Sequence, residues 1–434
     1  MLFTAPSQSI TATDTVTASI TGSTNVVVTP LAATHFSVTT PNPVTAGIPF
    51  NATVTAQDQY NNTATSYAGT VKITLGTADP KATLPGNATL TNGVKLFPMV
   101  LGTVGSGSQS VIATDTVTAS ITGTVFFSVN PGVATQYFFD LLPASVTAGA
   151  SFTLRVTALD ANGNRATGYT GTAHFTSSDP HPATLPADYT FTVADGGRHA
   201  FPLAFKLFIT PSQTITATDT VTASIKFSLS EPVTPAATSK LAITAPATVS
   251  AGVAFNITVK AEDAFGNVTP TYSGTVSFTS TDPLAILPAN STLTNGAATL
   301  AAKLQTVVGS PWKITGTDTV TSSITGTSNA ITVSKTGTTI SLVSNFNPMY
   351  FRHRATVTAT VHVTGGTGKT TGTVQFKEGS TVLATIPVVN GSASFIPSAL
   401  RFGDHSITAK YSGDANYAAS PLSAPLAIRL WPVP

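Results

Sequence analysis

The chain of 434 residues contains no cysteine, and only 9% of it is charged, against roughly 25% in an average soluble domain. The absence of cysteine excludes disulfides, thiolate chemistry and cysteine-ligated zinc. A formal net charge of +2 provides no positive field for a phosphate backbone, so nucleic acid is not an expected partner. Disorder driven by charge is excluded too, because 41% of the residues are hydrophobic.

Long apolar runs and catalytic motifs are also missing. The most apolar stretch, Ala200–Ile209, contains Pro202 and Lys206 and is far shorter than a membrane span of about 18 residues or more. No HExxH, P-loop or GxSxG motif occurs, and the few carboxylates are too evenly spread to nominate an acid/base pair. We therefore predict no membrane span, no catalytic residue, no cofactor and no bound metal, and hence a protein that is not an enzyme.

Threonine takes the place of the charged residues, with 80 copies, close to a fifth of the chain. Apolar residues alternate with threonine and other polar residues, as in the segment 152–158, and such alternation predicts half-buried strands. About seven short strands fall within each stretch of roughly 100 residues, without helical periodicity. This pattern predicts an all-β fold of immunoglobulin-like β-sandwiches.

One segment recurs along the chain and defines internal repeats. The sequence ITATDTVTASI at Ile10–Ile20 returns three times with few changes, and its aspartates are spaced 101, 104 and 99 residues apart: Asp14, Asp115, Asp219 and Asp318. The register predicts a remnant of one repeat, three full repeats and a divergent last unit: residues 1–29, 30–131, 132–235, 236–334 and 335–434.

The full repeats share further motifs in constant order, among them a Tyr-x-Gly-Thr segment and an Asp-Pro pair: Tyr67, Tyr169, Tyr272, Asp79, Asp179 and Asp282. This pattern resembles the tandem bacterial immunoglobulin-like repeats of very large surface and secreted proteins. The last unit carries TVQFK from Thr373 and YSGDANY from Tyr411, and it resembles the group 3 bacterial immunoglobulin-like repeat. The resemblance implies an extracellular or cell-surface location and a spacer role.

Residues 1–29 align with only the last two strands of a repeat, because Ser7-Gln8 matches Ser108-Gln109 and Ser212-Gln213. We expect that the chain is a fragment of a longer array or a mis-started reading frame. The other possibility is that these orphan strands pair with the sheet edge of another chain.

The predicted linkers are short, and two of the three contain proline: Asn130–Gly132, Glu231–Pro235 and Ser334–Gly337. Proline stiffens a linker. Four sandwiches in file, each built on strands of about 3.3 Å per residue, would form a semi-rigid rod of roughly 150 Å.

Two groups of residues could be taken for metal sites. His174, His181 and His199 share one repeat with Asp179, but Lys72 and Ser277 replace His174 in the other repeats, so we predict no metal there. The loop Asp160–Asn164 and its counterparts at Asp58 and Asp263 resemble calcium loops but lack the closing glutamate. We interpret them, and the recurring aspartates of the TATD segments, as turns.

Surface chemistry gives little further indication of a ligand. Trp312 and Trp431 are the two tryptophans and stand in different contexts, and the seven N-x-S/T sequons arise easily in a chain rich in Thr and Asn. No stacking platform for glycans repeats along the sequence.

The sequence therefore predicts a non-enzymatic extracellular stalk or adhesin segment on a bacterial surface, projecting or spacing a functional tip. Its partners would be a host or neighbouring cell surface, glycans or like chains. One alternative is a filament subunit assembled by strand exchange through the incomplete first unit. A second alternative is an accessory spacer of a secreted carbohydrate-active enzyme.

Overall fold

The computed structural model describes residues 1–105, 107–350 and 355–431. Strands dominate it, and the helical element of the described residues is one 3-10 turn, Val193–Asp195. Within these residues, no helix has the length and apolar character needed to cross a membrane. The chain divides into two compact units, Met1–Val233 and Thr234–Pro434.

The first unit opens with an antiparallel hairpin of β1 (Ser7–Thr13) and β2 (Thr21–Val27). These two strands form a sheet of their own. Ile10 in β1 is 48% exposed, whereas Val111, which occupies the same register one repeat later, is fully buried. In the full repeats, a second sheet covers the face of the hairpin on which Ile10 lies. In the β1–β2 hairpin this face has no such cover.

The first full repeat has six strands of five or more residues and three short ones: β3 (His35–Thr39), β4 (Val44–Thr45), β5 (Phe50–Gln57), β6 (Thr70–Leu75), β7 (Ala88–Thr89), β8 (Val94–Met99), β9 (Gln109–Asp115), β10 (Thr122–Phe127) and β11 (Val129–Asn130). One sheet has the order β3-β5-β8 and the other β10-β9-β6-β7, while β4 pairs in parallel with β11.

Alternation in the sequence creates the core between these sheets. Along β5, every second residue from Ala52 to Ala56 is buried while the threonines between are half-exposed. Phe97 on β8 faces the same interior and is 1% exposed. Burying a side chain of this size contributes about 1.5–3 kcal/mol to folding.

The second repeat follows the same plan with β12 (Ala134–Asp140), β13 (Val146–Thr147), β14 (Phe152–Asp160), β15 (Thr172–Ser177), β16 (Tyr189–Thr190), β17 (Arg198–Phe205), β18 (Ser212–Asp219) and β19 (Lys226–Thr234). Its sheets have the orders β12-β14-β17 and β13-β19-β18-β15-β16. The linker predicted at Glu231–Pro235 is wrong over Glu231–Thr234. These residues continue β19, because β19 pairs on both sides and Glu231 and Val233 are buried.

The second compact unit begins with a repeat made of β20 (Lys240–Thr244), β21 (Thr248–Ser250), β22 (Phe255–Glu262), β23 (Thr275–Ser280), β24 (Ser291–Thr292), β25 (Ala297–Ala302), β26 (Ile314–Asp318), β27 (Thr325–Thr327) and β28 (Thr332–Ser334). Its sheets repeat the earlier orders, β20-β22-β25 and β24-β23-β26-β27, with β21 parallel to β28. A core of its own fills the space between them.

The last unit has a different distribution of strands: β29 (Thr338–Ser344), β30 (Met349–Tyr350), β31 (Val357–Val363), β32 (Thr373–Glu378), β33 (Thr381–Pro387), β34 (Ser392–Phe395), β35 (Gly403–Tyr411) and β36 (Leu426–Trp431). One sheet is β29-β31-β34 and the other β30-β36-β35-β32-β33. Its core includes Phe376 and Tyr411, both fully buried.

Candidate functional site

In each full repeat, the loop at the end of β5, β14 or β22 lies next to the linker that precedes that repeat. It begins with an aspartate and ends with an asparagine four residues later: Asp58–Asn62, Asp160–Asn164 and Asp263–Asn267. The fourth residue of the loop has a positive φ, 64° at Asn61 and 77° at Gly163. Asparagine and glycine adopt this left-handed conformation readily, which explains their presence there.

The aspartate ties the loop and the linker together. In the second repeat, Oδ1 of Asp160 accepts hydrogen bonds from the amides of Asn162 (2.9 Å) and Asn164 (2.8 Å). Its Oδ2 accepts one from the linker amide of Gly132, at 2.9 Å. Asp58 binds Leu31 in the same way, at 3.0 Å, and Asp263 binds Ala236, at 2.9 Å. The linker path is therefore fixed by a buried carboxylate in each case.

The pKa of Asp58 shows the strength of this arrangement. Burial of the carboxyl group acts to raise the pKa, but hydrogen bonds from the Asn62 side chain and from the amides of Leu31, Asn62 and Tyr60 outweigh burial and hold the pKa at about 2. The carboxylate is therefore charged throughout the physiological range.

The asparagine joins its repeat to the preceding one. Asn164 donates one amide hydrogen to Oδ2 of Asp160 (2.9 Å) and the other to the carbonyl of Gly102 (2.8 Å). Its Oδ1 accepts a hydrogen bond from the amide of Val104, at 3.1 Å. Both polar atoms of the side chain are thus satisfied, and two of the three bonds cross from one repeat to the next.

The same contact occurs at the boundary between residues 1–29 and the first full repeat. Asn62 donates to the carbonyl of Phe3 (2.7 Å) and accepts from the amide of Ala5 (2.9 Å). The ring of Phe3 also packs on Tyr60, with centroids 4.6 Å apart. We call this arrangement, an asparagine side chain bound to two backbone groups of the preceding repeat, the asparagine clamp.

The segment that receives the clamp is itself held in place. Asp79, from the Asp-Pro pair of the first full repeat, accepts hydrogen bonds from the amides of Gly102 (2.8 Å) and Thr103 (3.1 Å). Lys81 reaches across to the carbonyl of Asn162 in the second repeat. The Asp-Pro motif therefore holds the segment that receives the clamp.

The joint within the second compact unit uses a related contact from a different motif. Asn416 of the YSGDANY segment accepts a hydrogen bond from the amide of Val307, at 2.9 Å. Asp282, the counterpart of Asp79, holds the receiving segment through the amides of Gln305 (2.7 Å) and Thr306 (3.2 Å). The last unit thus engages a segment of the same kind although its own loop has another sequence.

The recurring aspartates of the TATD segments perform a separate structural task. Oδ1 of Asp115 accepts hydrogen bonds from the amides of Val117 and Thr118, both at 2.7 Å, in the turn that follows β9. Its Oδ2 accepts a hydrogen bond from the hydroxyl of Tyr67. Gly69 is required beside them, because a Cβ there would lie 2.3 Å from the Tyr67 hydroxyl. The turn interpretation is correct, and the tyrosine tie adds to it.

The second and third full repeats contain the same tie, from Tyr169 to Asp219 and from Tyr272 to Asp318. Burial raises the pKa of each tyrosine, and the hydrogen bond to the carboxylate raises it further. The hydroxyl therefore remains protonated and acts as a donor.

The histidines of the second repeat have separate partners. Nδ1 of His174 lies 2.7 Å from Asp188, and Nδ1 of His199 lies 3.0 Å from Asp195. His181 packs on Phe208, with ring centroids 4.3 Å apart. Over residues 1–105, 107–350 and 355–431, no group of three or more His, Asp or Glu residues is arranged to hold a metal ion.

The Asp160 loop also has the wrong chemistry for calcium. Calcium requires several oxygen ligands converging on one point. Here both oxygens of the carboxylate are surrounded by N–H donors from Gly132, Asn162 and Asn164, and these donors occupy the positions that a cation would need.

The two tryptophans have different environments. Trp312 donates a hydrogen bond to the carbonyl of Thr306 at 2.6 Å, whereas Trp431 is 45% exposed.

Sequence reasoning missed the asparagine clamp. The Asp, Gly and Asn residues of the loop predict a turn, and the sequence pattern alone assigns the asparagine no further role. The available signal was its position, because Asn62, Asn164 and Asn267 all stand four residues after an aspartate in an otherwise variable loop.

Two stacked sheets, a short strand parallel to the last strand and repetition along the chain define tandem immunoglobulin-like β-sandwiches, as the alternation of apolar residues predicted. Residues 342–428 match the family model of the bacterial Ig-like domain (group 3). The resemblance of the last unit, predicted from its YSGDANY segment, is thereby confirmed.

Comparison with curated proteins finds no match. Among solved structures, the Escherichia coli adhesin FdeC is 18% identical, with 71% of this chain and 100% of that chain covered and a TM-score of 0.36. Invasin, a bacterial integrin-binding protein, is 14% identical, with 92% and 79% covered and a TM-score of 0.35. At these TM-scores the similarities carry no argument about function.

Proposed function

We propose that this chain is a non-enzymatic extracellular stalk of bacterial immunoglobulin-like repeats that spaces or projects a functional tip. The asparagine clamp supports this proposal most directly. It is built from a buried or half-buried asparagine side chain at positions where two repeats meet, and it holds one repeat against the next through backbone groups.

The hydrogen-bond free energy of the clamp is enough to restrain the joint between two repeats. Each hydrogen bond contributes about 0.5–1.5 kcal/mol net, so the two bonds from Asn164 to the preceding repeat restrict bending without making the repeats one rigid body. A flexible tether would instead need a long linker rich in Gly and Ser. The entering linkers here are bound to Asp58, Asp160 and Asp263.

Electron microscopy of single molecules tests this role. We expect wild-type chains to show a narrow distribution of angles between the first and second full repeats. Asn164→Ala should broaden it, because the two cross-repeat hydrogen bonds are lost. Asn87→Ala, which removes an exposed asparagine away from the joints, is the matched control and should leave the distribution unchanged. A wild-type distribution as broad as that of Asn164→Ala would contradict the proposal.

A further inference from the structure

His405 of the last unit lies between hydrogen-bond acceptors on both sides of its ring. Its Nδ1 lies 2.8 Å from Oε1 of Glu378, the last residue of β32, and its Nε2 lies 2.7 Å from the carbonyl oxygen of Arg401. An ionised carboxylate and a carbonyl can only accept hydrogen bonds. A neutral imidazole has one N–H and satisfies only one of them, whereas the imidazolium has two and satisfies both. The geometry therefore fits the charged form of the ring.

The charges around the ring favour the same form. The side chain is 11% exposed, and this burial acts to lower the pKa of His405. The hydrogen bonds to Arg401 and Glu378, together with the negative charges of Glu378 and Asp404, outweigh burial and raise the pKa above its ordinary value. On the neighbouring strand β36, Arg429 forms an ion pair with Asp404, and the residue directly opposite His405 is apolar. Glu378 therefore contacts the ring directly, whereas Asp404 and its partner Arg429 act from the next residue pair.

The two partners of His405 adjoin the two walls of an apolar groove. The groove has a volume of about 560 Å³ and lies between β33 and the segment that follows β34. We call this segment, residues 396–402, the strap. Glu378 stands three residues before β33, and Arg401 belongs to the strap. His405 therefore links the chain at one wall of the groove to the chain at the other.

The backbone hydrogen bonds within the strap are local. The amide of Ser398 donates to the carbonyl of Ile396 at 2.8 Å, and the amide of Leu400 donates to the carbonyl of Pro397 at 3.5 Å. These bonds shape the strap, but they do not tie it to a strand. The bond from His405 does, because His405 belongs to β35.

We infer that His405 is a pH-sensitive clasp, which holds the strap on β35 when its ring carries two protons and releases the strap when the ring loses one. The remaining proton stays on the bond to Glu378, because a hydrogen bond to a charged acceptor is stronger than one to a neutral carbonyl. The lone pair of Nε2 then faces the carbonyl oxygen of Arg401, and this contact becomes repulsive.

The direction of the pH dependence follows from the raised folded pKa. The stabilisation by the clasp is complete below the unfolded value of about 6.5 and is lost as the pH rises through the folded pKa. The inference goes beyond the stalk and does not depend on it, because the clasp lies within the last unit and takes no part in the joint at Asn416. Its failure would leave the stalk proposal intact.

Nuclear magnetic resonance of the full chain with isotope-labelled histidine tests the state of the ring. We expect His405 to titrate above about pH 6.5, and Glu378→Gln should move its titration to lower pH, because the carboxylate that favours the charged ring is lost. His405→Gln assigns the signal. A wild-type His405 that titrates at or below about pH 6.5, or a titration unchanged in Glu378→Gln, would overturn the inference.

Hydrogen exchange of the full chain, corrected for the intrinsic effect of pH, tests the release of the strap. Between about pH 6 and 9, exchange in the strap should rise relative to β32 with the midpoint of the His405 titration. His405→Gln should remove this pH dependence. His362→Gln is the matched control in the same unit, since that ring has the Ser341 hydroxyl at 2.9 Å as a partner, and it should keep the wild-type response.

Glu378→Gln provides the second variant if His405→Gln does not fold, and it should shift the rise in exchange to lower pH. A strap whose exchange does not follow the His405 titration would contradict the clasp even if the ring is charged. A response lost equally in His362→Gln and His405→Gln would also contradict it, because the pH dependence would then not belong to this ring.

Discussion

The first full repeat and the last unit form the same kinds of hydrogen bond with residues that are spaced differently in the sequence. In the first full repeat, Tyr67 is tied to Asp115, 48 residues away. In the last unit, Tyr411 is tied to Asp414, three residues away, at 2.9 Å. The sandwich therefore does not depend on one set of residue pairs. The two regions share a tyrosine hydroxyl that donates to a carboxylate at a turn, together with an asparagine at the joint.

Substitutions in the two cores should have the largest effect on stability and should distinguish the two regions. Phe97→Ala in the first full repeat and Phe376→Ala in the last unit each empty a fully buried site, and each should cost about 3–5 kcal/mol. Because the two cores are separate clusters, calorimetry should show one transition lowered in each variant and a different one in each case. A common shift of all transitions would show that the units unfold together.

Removing the hydroxyl of each tied tyrosine should have a smaller effect on stability, and the two effects can be compared. Tyr67→Phe and Tyr411→Phe each remove a hydrogen bond to a carboxylate, and loss of such a bond costs about 1.5–3 kcal/mol. We expect the larger loss from Tyr67→Phe, because its partner lies on another strand, whereas Tyr411 and Asp414 belong to one turn. Denaturant unfolding measures both. Equal losses in the free energy of unfolding would show that a tie between residues distant in sequence contributes no more than a tie within one turn.

Acid should lower the stability of both regions. The folded pKa of Asp58 is about 2, and hydrogen bonds from Thr371, Asn416, Tyr411 and Tyr417 outweigh burial and lower the pKa of Asp414. A lowered folded pKa stabilises the protein above the unfolded value near 3.8, and this contribution is lost as the pH falls through the folded pKa. We expect the melting temperatures to decline from about pH 4 toward pH 2.

Asp58→Asn is the control for this pH dependence. The variant should be less stable than the wild type at neutral pH, because the carboxylate that binds Leu31 is lost, and it should show a smaller decline on acidification. An identical acid profile in the wild type and in Asp58→Asn would assign the pH dependence to other groups.

The fold was predictable because it depends on periodicities that a single sequence displays. Alternation along Phe152–Ala158 marks a half-buried strand whatever its partners, and the recurring TATD segment sets the repeats. The position of the clamp asparagine is visible in the sequence, but its partners were not predictable, because Asn164 binds Gly102 and Val104, about 60 residues earlier in the chain. Those partners contribute only backbone atoms, which leave no trace in the sequence. The end of β19 was missed because proline suggested a linker, although Pro232 pairs within the sheet.

The backbone character of the clamp has a consequence for how such chains change in length. Asn62 binds at Phe3 and Ala5, Asn164 at Gly102 and Val104, and Asn416 at Val307, so these hydrogen bonds do not depend on the identity of the receiving side chain. A repeat that is duplicated, deleted or exchanged by recombination would still offer its neighbour backbone groups that can make these hydrogen bonds. Length can then evolve by whole modules, and an engineer could add or remove repeats in the same way.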